Sequence, residues 1–217
     1  GTNKYKLKLG CWTIVDHNGD TQIIAFSLVP PGEPKEAFIW AFAQFKKHLG
    51  APTVIFTDGD PGMHSAIALV FGDGTVHLFC LYHIYTNLFK HMSKLFGADH
   101  LAWRAFVNRF WRIAKLSDSG TRANFATEWA ELTTLALAST CCDQKTRQLA
   151  FEWLRALGTR ALRWAARWTW EHLTLDVHST QRAEAIHSAL CNIISASDKL
   201  AKLLEKLSEF ESHHDAD

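Results

Sequence analysis

The feature that most constrains the fold is a change of hydrophobic period near residue 85. Before it, short runs of β-branched and aromatic residues alternate with helix-period segments. After it, apolar residues recur every three or four positions almost to the end of the chain. The pattern calls for an α/β portion followed by a helical one.

In the first portion, "LKLGCWTIV" (7–15) and "TQIIAFSLV" (21–29) read as strands joined by Asp16-His17-Asn18-Gly19-Asp20. Asn18-Gly19 is a dipeptide favoured in tight hairpins, so the two are expected to pair antiparallel. "PGEPKEAFIWAFAQFKKHLG" (31–50) opens with prolines and acids, spaces Phe38, Phe42 and Phe45 along one helical face, and stops at Gly50. "TVIF" (53–56) has the composition of a short, fully buried strand, and "DPGMHSAIALVFG" (60–72) that of a helix of a few turns. "TVHLFCLYHI" (75–84) is a strand, or a strand running into a helix.

Beyond residue 85, "LAWRAFVNRFWRIAKL", "NFATEWAELTTLALAS" and "RQLAFEWLRALGTRALRWAARWTW" carry helical periodicity between Ser, Asp, Gly and Thr breaks. Seven of the nine tryptophans fall here, and at helical spacing they are read as core rather than as platforms for bases. The tail from 197 aligns Leu200, Leu203, Leu204, Leu207 and Phe210 on one face. It is expected to be a last helix that packs on the body, on a partner or on a missing segment.

Composition narrows the class. At 217 residues and 47% hydrophobic, the chain is long enough for one domain, or for one domain with a large insertion. No apolar run reaches the roughly 18 residues of a membrane span, and the first residues lack signal-peptide organisation. The reading is a soluble intracellular protein or a piece of a longer chain, without membrane contact. Five cysteines without a CxxC pair argue against a disulfide scaffold, and Cys11, Cys141, Cys142 and Cys191 are expected to be reduced and buried. All ten arginines lie beyond residue 100, and residues 101–170 hold nine Arg and two Lys against five acids. Such a segment either attracts a phosphate backbone or solvates a helix face.

Three elements are candidates for chemistry. Asp58 stands where an apolar strand meets the loop before a helix, the end of a strand at which α/β sheets gather ligands, and a carboxylate is a hard ligand for magnesium. Asp60 followed by Pro61 has instead the grammar of an N-cap with proline at the first helical position. Cys80 and His83 form a C-x-x-H pair for which no second CxxC or HxxxH completes a zinc site. In "HSTQRAEAIHSAL" (178–190), Ser179 or Thr180 can cap a helix whose first turn holds Glu184, with Arg182 and His187 close by.

Taken in order, "TDGDPGMHSAI", "FCLYHI" and "STQRAEAIHS" resemble the transposase domain of Mutator-like elements, which also occurs in plant far-red light-signalling transcription factors derived from such transposases. The resemblance implies an RNase H-like fold: a mixed five-stranded sheet flanked by helices, with a large all-α insertion before the last catalytic helix. Residues 1–84 would then be a partial core, 85–177 the helical insertion, and 178–217 the returning catalytic helix with a C-terminal amphipathic one. It implies cut-and-paste transposition of double-stranded DNA in the nucleus by an Asp-Asp-Glu triad with two Mg²⁺ or Mn²⁺. Homo-oligomerisation is left open.

Carried over by motif, Asp58 is the second Asp, Glu184 the Glu, and both are metal ligands and catalytic residues; Cys80 and His83 are the family's structural C-x-x-H pair. Arg155, Arg160, Arg163 and Arg167 are candidates for phosphate contacts. The family's first Asp ends a first, central strand upstream of Asn3. Asp16 and Asp20 fall in the hairpin turn and are poor substitutes. The 217 residues alone are therefore expected to be catalytically inactive and poorly stable. The alternative function is a domesticated DNA-binding regulator that keeps the fold without cutting, and a further rival is a helical module whose Trp and Leu faces bind protein.

Overall fold

The computed structural model describes residues 3–115, 122–138, 141–172, 174 and 177–214. Its architecture is mixed α/β and predominantly helical, and no helix of the described residues is long and apolar enough to cross a membrane. The chain divides into two compact units, Gly1–His77 with Leu175–Asp217, and Leu78–Thr174.

In the first unit, β1 (Lys8–Val15) and β2 (Thr21–Val29) form the antiparallel hairpin expected of their sequences. The turn is closed by Asp16, whose Oδ1 accepts the amides of Asn18 at 2.8 Å and Asp20 at 3.0 Å, while Gly19 takes φ 87°. A left-handed residue costs glycine no Cβ clash, which is why Asn-Gly works here. Those amides hold the Asp16 carboxyl below the usual carboxylate range, that of Asp20 most strongly. A register shift between Trp12 and Thr13 leaves Ile24 as the extra residue of a bulge.

Helix α1 (Lys35–Leu49) ends at Gly50 as its sequence predicts. It packs with α2 (Pro61–Phe71) through Phe38, Phe42, Ala66, Ile67 and Phe71, joined by Trp12, Phe45 and Ile55. Strand β3 (Val54–Thr57) lies between these helices in sequence and pairs with β4 (Val76–Phe79). Its first three residues are only half-buried, against the expectation of a fully buried strand. The reason is its position: among the described residues β3 has one strand neighbour, not two.

Among the described residues four strands make two separate ladders, β1–β2 and β3–β4, where the family resemblance implied one mixed sheet. A second apolar cluster of this unit joins the hairpin to the end of the chain. Leu9 and Ile23 meet Ile186, Leu190 and Ile194 of and beside α8 (Gln181–Ile193), and Leu203 and Leu207 of α9 (Leu200–His214). The last helix thus packs on the body of its own chain, with Leu204 left exposed.

The second unit is helical: α3 (Leu81–Phe96), α4 (His100–Lys115), α5 (Arg122–Leu137), α6 (Gln144–Gly158) and the short α7 (Ala166–Thr169). Its core gathers Leu88, Met92, Phe106, Phe110, Leu132, Leu154 and Trp164. Trp129 and Trp164 are buried in it and Trp103, Trp111, Trp153 and Trp168 pack against it, so the tryptophans are core as read; Trp170, 70% exposed, is the exception. The periodic run 147–170 is not one helix. It breaks after Gly158 and continues as a 3-10 turn over Ala161–Arg163 before α7.

All five cysteines are free thiols, but the expectation of burial fails for Cys141 and Cys191, which are exposed, while Cys11 and Cys142 are half-buried. Cys141 lies in the connection before α6. Cys191 sits on α8 directly after buried Leu190 and is not part of the cluster that packs on the hairpin.

Candidate functional site

Asp58 follows the last residue of β3 and is exposed. Its Oδ1 accepts the Asp60 amide at 3.1 Å, and Oδ2 has no partner among the described residues. The loop turns at Gly59 with φ 82°, and the chain enters α2 at Asp60. Asp60 is the N-cap: its Oδ1 takes the amides of Gly62 at 2.8 Å and Met63 at 3.0 Å, with Pro61 first in the helix. Two adjacent carboxylates thus do different work. One is used up on a helix end and the other is offered outward.

Beneath this loop lies a polar chain that the sequence reading missed. Thr57 Oγ1 accepts the Gly59 amide at 3.2 Å and stands 2.7 Å from His77 Nε2. His77 Nδ1 in turn lies 3.1 Å from His64 Nδ1 of α2. Thr57 and His77 are buried, so their polar atoms must be satisfied within the protein. A contact between two ring nitrogens needs one donor and one acceptor, which links the tautomers of the two rings. The only sequence signal was a histidine on the apolar strand "TVHLF", and nothing in it named Thr57 or His64 as partners.

Glu184 belongs to the same unit as Asp58 and is half-buried in the first turn of α8. Thr180 holds the N-cap position but makes no capping hydrogen bond; its hydroxyl donates instead to Glu184 Oε1 at 2.8 Å. Arg182 donates to the Gly19 carbonyl in the hairpin turn, which ties the start of α8 to that turn. His187 lies 3.8 Å from the Cys191 sulfur.

In the second unit, Cys80 is buried at the N-cap of α3 and His83 is half-buried in its first turn. The cysteine sulfur and a His83 ring nitrogen lie within 4.8 Å of each other. The four candidate arginines separate by environment. Arg155 is exposed on α6. Arg167 is 3% exposed, ion-paired to Glu128 and stacked over Phe125, so it braces the core and is not available to a phosphate. Arg160 precedes the 3-10 turn and Arg163 is its last residue, with guanidinium carbons 5.5 and 5.9 Å from the Phe79 ring centre.

Comparison with known families fits this local picture. Residues 1–87 match the family model described as the MULE transposase domain, a span that takes in Asp58, Cys80 and His83 and stops before Glu184 and the arginines. This portion of the chain is similar to that domain. No curated protein and no solved structure matches the chain.

Proposed function

We propose that this chain derives from a Mutator-like transposase, and that Asp58 and Glu184 are two of the carboxylates with which the parent protein cleaves and joins DNA. The observation that carries this is the similarity of residues 1–87 to the transposase domain, with Asp58 held outward at the end of β3. The donor set suits the chemistry. Both groups are hard oxygen ligands of the kind Mg²⁺ or Mn²⁺ takes, and both belong to one compact unit. Bound divalent cations would activate a water or 3′-hydroxyl and offset charge on the leaving oxygen.

The chain's own part is to position these ligands. Thr57 and the histidine pair fix the loop beneath Asp58, Asp60 anchors its far end to α2, and Thr180 orients Glu184. The five-stranded sheet that the family resemblance implies has one strand more than the four described here. The third carboxylate of the triad belongs on that strand. Double-stranded DNA is then the substrate and the nucleus the place of action.

The test is calorimetric titration of Mn²⁺ into the protein, Asp58→Ala and Glu184→Ala, paired with nicking of a labelled duplex by the parent carrying the third carboxylate. Binding and nicking that vanish in both variants support the reading. Metal binding unchanged by either substitution removes it.

A further inference from the structure

The carboxylate reading leaves one pair of donors on α8 unused. His187 and Cys191 stand four positions apart, which makes them neighbours on one stripe of the helix. The Cys191 sulfur lies 3.8 Å from His187 Nδ1 and 4.0 Å from Nε2. His187 is half-buried and Cys191 exposed, so solvent reaches the pair. Both side chains rise from a single helix, so helix pitch sets their spacing, whatever the packing of other elements.

Packing does not account for the pair. Ile186, Leu190 and Ile194 join α8 to the hairpin and to α9, and neither His187 nor Cys191 belongs to that cluster. Neither has a hydrogen-bond or ionic partner other than the other among the described residues. The remaining cysteine of this unit, Cys11, packs against the cluster instead. The other Cys-His pair, Cys80 with His83, has its cysteine buried at the start of α3.

Together the two groups offer a chelate. Zinc takes a thiolate at about 2.3 Å and an imidazole nitrogen at about 2.0–2.1 Å, which at a tetrahedral angle puts the donor atoms about 3.6 Å apart. The 3.8 Å between sulfur and Nδ1 is close to that spacing. The second torsion of histidine is broad and no other bond fixes this ring, so aiming a nitrogen at a shared ion costs little. Thiolate and imidazole select cations of the zinc type, whereas Mg²⁺ and Mn²⁺ prefer the oxygens of carboxylates.

We propose that His187 and Cys191 form an exchangeable site for a zinc-type divalent cation. Two protein donors leave two tetrahedral positions to water, so the site is open, unlike a closed structural centre with four protein ligands. A cation held there would staple one turn of α8, a helix whose N-cap residue Thr180 makes no capping hydrogen bond. The inference does not depend on the function proposed above, because the donors are different residues of different softness.

The experiment is titration of Co²⁺ into the whole chain with its thiols reduced and Mg²⁺ in large excess, following the thiolate-to-cobalt charge-transfer band in the near ultraviolet. Excess Mg²⁺ occupies oxygen sites and leaves a thiolate site to Co²⁺. Wild type should show the band, and Zn²⁺ should displace it. Cys191→Ser should remove that component of the band. His187→Gln should raise the midpoint more than about tenfold, since losing even an outer-shell partner of a ligand costs roughly 10–100-fold. Zn²⁺ should also raise the Tm of the wild type and leave that of Cys191→Ser unchanged, by mass action on the folded state.

A band equal in wild type and Cys191→Ser overturns the proposal, because the ion then sits on another cysteine. So does His187→Gln with the wild-type midpoint, which would mean a thiolate acting alone. Loss of the band in excess Mg²⁺ overturns it as well, by placing the ion on carboxylates. Mn²⁺ uptake through Asp58 and Glu184 with no Co²⁺ band sinks this site alone, and a Cys191-dependent band without carboxylate-dependent Mn²⁺ uptake sinks the cleavage reading alone.

Discussion

Replacing Asp60 separates the two carboxylates of the Asp58 loop. In Asp60→Ala, the amides of Gly62 and Met63 lose their common acceptor at the start of α2. Loss of an N-cap typically costs about 1 kcal/mol and reaches about 2; with two donors orphaned, about 1.5 kcal/mol is expected. At roughly 2–4 °C per kcal/mol for a chain of this size, Tm should fall by about 3–6 °C. The helix itself should persist, because Pro61 still presets its first turn and Ala66, Ile67 and Phe71 still pack against Phe38 and Phe42. Asp60→Asn keeps a side-chain oxygen in place and should cost less than about 0.5 kcal/mol. Asp58→Ala gives up one 3.1 Å bond in an exposed turn and should also cost less than about 0.5 kcal/mol. Thermal unfolding followed by circular dichroism, with and without Mn²⁺, reads both properties. The reasoning fails if Asp60→Asn is as unstable as Asp60→Ala, or if Asp60→Asn rather than Asp58→Ala abolishes the stabilisation by metal.

Three further outcomes are expected. Gly158→Ala should destabilise the protein by about 1–3 kcal/mol in urea unfolding, because an added Cβ would lie 2.3 Å from Nε1 of Trp129, a ring stacked on Phe125 and packed against Trp164. Unchanged stability would mean that Trp129 moves aside freely. Burial pushes the Cys11 thiol up to about 11, so at pH 8 only roughly one in a thousand is thiolate, and a disulfide reagent should modify exposed Cys141 and Cys191 well before it; equal rates would refute the burial. Lys206 and the Ser195 amide hold the Asp198 carboxyl below its usual range. A depressed pKa contributes stability above the unfolded value near ~3.9 and loses it as pH falls through the folded one. The stability gap between wild type and Asp198→Asn should therefore be flat from pH 5 to 7 and shrink below about pH 4, and a gap that persists at pH 2 would exclude this linkage.

Much of the local structure was legible because its causes lie within a few residues. The hairpin turn, the stop at Gly50, the Asp60-Pro61 cap and the amphipathic last helix each depend on backbone groups that a neighbouring side chain can reach. Other features escaped for the opposite reason. The contact of Thr57 with His77 spans 20 positions, and that of Arg167 with Glu128 spans 39. Periodicity in 147–170 suggested continuous helix, but the approach of Gly158 to Trp129 is a feature of packing and has no local signature. Burial of Cys141 and Cys191 was misjudged because composition says only that cysteines favour interiors, whereas packing leaves Cys141 in an exposed connection and Cys191 at an exposed position of α8.

The sequence by itself determined where the chain turns, caps and changes period, and it marked Asp58, Glu184, Cys80 and His83 as residues worth locating. Tertiary structure decided what surrounds them: which arginines stand in the core and which on an aromatic ring, and what props the loop from beneath. Hydrogen bonds within a turn are set by adjacent residues, while partners many positions apart are chosen only when whole elements pack.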